Sequence, residues 1–256
     1  MIRDFKPTTR FSSRVDNYVR YRPGYPVEIL DLLRTECALK KTSPIADIGS
    51  GTGKLTELFL EHGNPVFGVE PNREMREAGG RLLAKFPQFQ SVAGTAEATT
   101  LPDCRVDFIT IGQAFHWFDL EPCRRECLRI LKPGGWVVII WNDRLTATTP
   151  FLAAYEELLR EFSTDYEHIN HRRFNDGEAV RKFLGSRSHL KNFPSAQQFD
   201  FEGLKGRLLS SSYAPEAGHP KHEPMLAALK QIFEAHQKGG QVNFEYETHV
   251  YYGQLN

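Results

Sequence analysis

The sequence lacks an excess of charge of either sign, with 32 Lys and Arg against 32 Asp and Glu. No global basic field draws a nucleic-acid backbone, so that partner is disfavoured. Long apolar runs are missing as well. No stretch approaches the roughly 20 apolar residues that a membrane-crossing helix needs. The opening MIRDFKPTTRF has no apolar core of a secretory leader. These absences lead us to expect a soluble, cytoplasmic protein with no membrane partner. Cysteine is scarce, with only Cys37, Cys104, Cys123 and Cys127. Cys123 and Cys127 stand four apart on an expected helix. No histidine or second Cys pair gives them metal-site spacing, so no metal is expected. Buried free Cys packs as a small hydrophobe, which is the expectation here.

What is present is an ordinary globular balance, 40% hydrophobic and 25% charged over 256 residues. That length suits one α/β domain with an elaboration, or two small domains. An Arg- and aromatic-rich start, FSSRVDNYVRYRPGYP, precedes a helix through VEILDLLRTECAL, with Ile29, Leu30, Leu33 and Cys37 on one face. Strands and helices then alternate. PIADIG, PVFGVE, FQSVAG, VDFITIG and WVVIIW read as strands. KLTELFLEHG reads as a helix stopped by Gly63. NREMREAGGRLLAKF reads as a helix capped by Asn72, with Met75, Ala78, Leu82 and Phe86 inward. LEPCRRECLRIL is a third such helix, turned by KPGG, residues 132–135, into the fifth strand. Strands joined by helices imply a parallel sheet with helices on both faces.

The second half differs. PFLAAYEELLREF is an amphipathic helix, AQQFDF a sixth strand, and EGLKGRLLSSS and EPMLAALKQIFEAHQKG are helical. In VNFEYETHVYY, Val242, Phe244, Tyr246, Thr248, Val250 and Tyr252 share one face, which marks an antiparallel or half-exposed strand. We therefore read a single domain in three parts: 1–43 as N-terminal cap segment and first helix, 44–143 as core, and 144–256 as helical elements with the last two strands.

The chemistry centres on IADIGSGTGKLTELFLEHG, residues 45–63. A triphosphate loop needs G-x-x-x-x-G-K-[ST]. Here Ile48 stands where the first glycine belongs, and Leu55 replaces the magnesium-binding hydroxyl. A dinucleotide fingerprint needs G-x-G-x-x-G, but Gly49-x-Gly51-x-Gly53 is one residue short. Glu70 ends the second strand 21 residues after Gly49, as suits a carboxylate accepting from two ribose hydroxyls. That spacing alone does not separate a nicotinamide cofactor from another nucleoside.

DIGSGTG resembles the first motif of the class I S-adenosylmethionine-dependent methyltransferases. Four later segments resemble that family's further motifs in order: VFGVE, AGTAEATTLPD, ITIGQAFHWFD and LRILKPGGWVVI. The likeness runs from about residue 45 to residue 141. It implies a Rossmann-like three-layer sandwich, with a seven-stranded mostly parallel sheet, an antiparallel C-terminal strand and helical lid elements. It implies S-adenosylmethionine as cofactor and a methyl group transferred in line to an acceptor. The cofactor would meet Asp47, Gly49, Ser50, Gly51, Thr52 and Gly53 in the loop, and Glu70, Pro71 and Met75 after the second strand. Thr95, Ala96 and Glu97 would line the adenine, with Gly112, Gln113 and Ala114 near the methionine part.

YVRYRPGYP, HWFD, RLLSSSYAP and YETHVYYGQL resemble one subgroup, the type 11 small-molecule methyltransferases. In that subgroup the N-terminal segment caps the cofactor cleft, which brings in Tyr18 and Arg22. The alternative is an arm that packs without touching ligand. His116 is a candidate general base, or equally a group that shapes the pocket. His168, His171, Arg172 and Arg173 are either a receptor for an anionic small acceptor or a solvated loop face. No Asn-Pro-Pro-Tyr segment follows the fourth strand, which argues against the usual amino methylation of DNA adenine or protein glutamine. Two other readings stay open: a non-catalytic cofactor-binding protein, and a methyltransferase acting on RNA or protein.

Overall fold

The computed structural model describes residues 15–164, 166, 177–185 and 187–255, leaving aside the side chains of Val15, Asp16 and Tyr18. Short helix α1 (Val15–Tyr21) leads into α2 (Glu28–Cys37), whose Ile29, Leu33 and Cys37 are buried. Then β1 (Ile45–Ile48), α3 (Lys54–His62), β2 (Val66–Val69), α4 (Arg73–Leu82), β3 (Phe89–Val92) and β4 (Val106–Gly112) alternate. After a short 3-10 turn at Phe115–Trp117 come α5 (Leu120–Ile130), β5 (Leu131–Arg144) and α6 (Pro150–Phe162). The last part holds a helix at Glu178–Leu184, β6 (His189–Phe199), helices at Phe201–Leu209 and His222–His236, and β7 (Val242–Gly253).

The seven strands form one sheet in the order β3-β2-β1-β4-β5-β7-β6. β1 to β5 are parallel, while β7 runs antiparallel to both β5 and β6. The two faces of the sheet are packed separately. Ile48, Ile109, Val137 and Ile139 bury one face beneath Cys123, Cys127 and Ile130 of α5. Ile45, Val66, Phe108 and Val138 bury the other beneath Ile29, Leu33, Leu55 and Phe59 of α2 and α3. Each such side chain taken out of water stabilises the fold by about 1.5–3 kcal/mol. A third apolar cluster joins α6 and the last two helices to Phe244 and Tyr246 of β7. The fold is the Rossmann-like three-layer sandwich implied by the sequence. No helix among the described residues is long and apolar enough to cross a membrane.

Local signals mostly held. Asn72 Oδ1 accepts from the Met75 amide at 2.8 Å and caps α4. Gly63 ends α3 at φ 105°. Cys123 and Cys127 are buried. The departures have local causes. The sixth strand is His189–Phe199 rather than 196–201, because Asp200 caps a helix by accepting from the Gly203 amide at 2.7 Å. The fifth strand reaches Arg144, because residues beyond Trp141 pair with β7. Leu82 is exposed and Leu83 takes the inward place, because α4 ends between them.

Candidate cofactor cleft and acceptor side

Strand order reverses direction between β1 and β4, and ligands of such sheets bind beyond the carboxyl ends of the strands at that point. A cleft opens there. Its wall is made by Gly49, Gly51, Glu70, Pro71, Asn72, Met75, Thr95, Ala96, Glu97, Gly112, Gln113, Ala114, Trp117 and Phe118.

The loop is bent by glycine where no side chain fits. Gly49 has φ +70°, and a Cβ there would stand 2.6 Å from the Ala114 Cβ. Gly53 has φ +89°, and its Cβ would meet Leu83 Cδ1 at 2.5 Å. Gly49 therefore faces the cleft, whereas Gly53 allows α3 to pack on the end of α4. Gly49 and Ser50 both donate their amides to the Val69 carbonyl, at 2.9 and 3.1 Å, which fastens the loop to β2.

Glu70 is buried, and each of its oxygens accepts one amide: Oε2 from Gly51 at 2.9 Å and Oε1 from Asn72 at 2.8 Å. Burial pushes its carboxyl above the usual range, opposed by those two amides and by Arg76. One acceptor site remains on each oxygen, which suits a ligand with two neighbouring hydroxyls. Asp47 sits at the end of β1, behind the loop. Its carboxylate does not line the cleft but accepts the hydroxyls of Thr56 at 2.5 Å and Thr110 at 3.0 Å behind the loop. Burial pushes it up to about 7, against the pull of those two hydroxyls. Ser50 and Thr52 also stand off the cleft wall.

Glu97 Oε1 accepts from the Asp119 amide at 3.0 Å, fixing the loop that carries Thr95 and Ala96. Gln113 has φ +58° and donates its side-chain amide to the Asn142 carbonyl at 3.2 Å. His116 is half-buried with its ring 4.6 Å from that of Trp117, and it is not among the lining residues. Trp117 and Phe118 are; the aromatic run beside a Gly-Gln-Ala segment is the signal that marks them.

The N-terminal arm reaches this end of the cleft. The side-chain amide of Asn142 donates to the Gly24 carbonyl at 2.8 Å. A Cβ on Gly112 would stand 2.5 Å from the Tyr25 hydroxyl, so only glycine lets that hydroxyl approach. Arg22 does not line the cleft; it donates to the Ser210 carbonyl at 3.0 Å and lies 3.5 Å from Ser211 Oγ. A Cβ on Gly206 would collide with the Tyr21 ring. The arm is thus fastened to the RLLSSSYAP segment. The Tyr18 side chain and His168, His171, Arg172 and Arg173 lie outside the described residues. Asn142 was not anticipated; a polar pair, Asn142-Asp143, directly ending an apolar strand is the signal for it.

Comparison with known proteins follows the same lines. Residues 46–139 match a family model described as a methyltransferase domain. An uncharacterised methyltransferase of Mycobacterium tuberculosis is 40% identical over 134 residues, 52% of either chain, so the match spans about half the length of that relative. An uncharacterised methyltransferase of Schizosaccharomyces pombe is 30% identical over 248 residues, covering 94% of this chain and 95% of that one. Among solved structures, one described as a type II methyltransferase from Anaeromyxobacter dehalogenans superimposes with a TM-score of 0.65 at 19% identity, over 91% of this chain and 98% of that one. A phosphoethanolamine N-methyltransferase of Haemonchus contortus, solved with S-adenosylhomocysteine, gives 0.54 at 14% identity over 97% of this chain and 58% of that one.

Proposed function

The chain belongs to the class I S-adenosylmethionine-dependent methyltransferases, and we propose that it methylates a small-molecule acceptor by in-line displacement. The observation that carries this reading is the arm. Tyr25 stands over Gly112, and Asn142 ties Gly24 beside Gln113, which supports a cleft whose Gln113 end is covered by the chain itself. A roofed site suits a small acceptor better than an RNA or a protein surface.

The cleft fits the cofactor. Glu70 keeps two acceptor sites for the ribose hydroxyls, and Gly49 and Gly51 leave backbone where a Cβ would stand. In this reading Pro71, Asn72 and Met75 flank the ribose, and Thr95, Ala96, Glu97 and Phe118 surround the adenine. Gly49, Gly112, Gln113 and Ala114 face the methionine part. Asp47, Ser50, Thr52 and Gly53 shape the loop from behind, and Arg22 holds the arm closed.

When bound, S-adenosylmethionine supplies an electrophilic methyl whose sulfur departs as a neutral thioether with the bonding pair. What the protein adds is position. The lining carboxylates, Glu70 and Glu97, are engaged by backbone amides of Gly51, Asn72 and Asp119, and His116 is not part of the wall. An acceptor atom that carries a free electron pair without losing a proton suits this arrangement, because it calls for no general base. The test is calorimetry with S-adenosylmethionine and S-adenosylhomocysteine, followed by methyl transfer to a panel of small acceptors. Binding and transfer support the reading. Binding with no transfer to any acceptor would leave a non-catalytic cofactor-binding protein instead.

A further inference from the structure

Arg207 is a buried cation with no carboxylate partner among the described residues. The residue is 6% exposed. Its Nε donates to the Tyr246 hydroxyl at 3.1 Å, and Nη1 donates to Ser211 Oγ at 3.2 Å. The guanidinium also lies 5.4 Å from the Phe244 ring centre. All three partners are neutral, and among the described residues no carboxylate pairs with it. Arg144 makes the contrast. It stands 5.9 Å from the same Phe244 ring, yet it is bonded to Glu156, which also accepts from the Tyr166 hydroxyl at 2.8 Å. Two guanidinium groups thus lie on one ring, and among the described residues only Arg144 has a carboxylate partner.

A second group points the same way. Tyr155 is 1% exposed, its ring centre is 5.0 Å from that of Phe244, and its hydroxyl has no hydrogen-bond partner among the described residues. A buried donor left unpaired and a buried charge left uncompensated both cost stability. Both groups pack against the Phe244 ring, and together they offer donors suited to an oxyanion. A relay of contacts connects this pair to the Gln113 end of the cleft. Ser211 is shared by Arg207 and Arg22, the arm runs from Arg22 to Gly24, and Asn142 links Gly24 to Gln113.

We infer that Arg207 and the Tyr155 hydroxyl bind a carboxylate carried by the methyl acceptor. This rests on the methyl-transfer reading above. The planar guanidinium fork matches a carboxylate. One uncompensated positive charge matches a singly charged carboxylate better than a phosphate dianion.

The experiment uses the full chain saturated with S-adenosylhomocysteine. It is titrated calorimetrically with straight-chain and aromatic monocarboxylates, with their primary amides, and with inorganic phosphate. The inference expects at least one carboxylate to bind, its amide to bind at least tenfold more weakly, and phosphate not to compete. Arg207→Gln should lose carboxylate affinity at least tenfold while the S-adenosylhomocysteine affinity stays within about twofold. Arg207→Lys, which keeps the charge but not the fork, and Tyr155→Phe, which removes only the hydroxyl, should each lose severalfold. They carry the test if Arg207→Gln does not fold. The inference is overturned if no carboxylate binds, if the amide binds equally, if phosphate displaces the carboxylate, or if the variants keep carboxylate affinity. A parallel loss of cofactor affinity would also overturn it. Failure of the wild-type protein to bind S-adenosylhomocysteine would instead defeat the methyl-transfer reading.

Discussion

The Glu70 carboxylate closes the end of β2 onto the glycine loop, with Oε2 accepting the Gly51 amide at 2.9 Å. One side chain therefore shapes the loop and presents acceptors to the ligand. Glu70→Ala should weaken cofactor binding by about 1.5–3 kcal/mol, the scale of hydrogen bonds to a charged group. Titration of the variant with S-adenosylhomocysteine checks this. Unchanged affinity would remove Glu70 from the site.

The arm can be expelled from a distance. Gly206 lies under the Tyr21 ring, and Gly206→Ala would place a methyl in that ring. Overpacking of this kind costs about 1–3 kcal/mol. We expect methyl transfer to fall at least tenfold and limited trypsin cleavage at Arg20 or Arg22 to accelerate. Cofactor affinity should change little, since no lining residue is touched. Full activity in the variant would show that the arm does not roof the acceptor.

Asp47 gives the fold a pH dependence of defined sign. Burial raises its carboxyl from 3.8 to about 7. The folded value lies above the unfolded one, so the proton is held more tightly in the folded state. The stability contributed is fully present below the unfolded value and is lost as pH rises through about 7. Asp47→Asn should therefore flatten the fall in Tm between pH 5 and pH 8, as read by thermal denaturation in steps of roughly one pH unit. Equal slopes for the two proteins would mean that Asp47 is charged in the fold.

His116 stands outside the cleft wall, so His116→Ala should change kcat/KM by less than about threefold and leave the pH profile of kcat in place. General-base catalysis contributes typically 10²–10⁴-fold, which such a measurement would not miss. A loss of that size would assign the general-base role to His116.

The core was legible because parallel strands buried on both faces are apolar runs, and WVVIIW and VDFITIG read as such. The cleft was legible because its wall is contiguous in sequence: the glycine loop, Glu70 with its followers, Thr95 to Glu97, and Gly112 to Ala114. The Thr56 and Thr110 partners of Asp47 were not legible, because strand position does not say which way a side chain turns. Arg207 was not anticipated. It lies one helical turn after Leu204, and its lack of a carboxylate partner among the described residues appears only when Tyr246 and Phe244 arrive from β7. Asn142 was missed likewise, since its partners Gly24 and Thr248 lie far along the chain.

The central claim is that this cleft holds S-adenosylmethionine through Glu70 and the glycine loop. Calorimetric titration of the wild-type chain with S-adenosylhomocysteine and, separately, with NAD tests it most directly. The account predicts saturable one-to-one binding of S-adenosylhomocysteine and no heat with NAD. Binding of NAD without S-adenosylhomocysteine would contradict it.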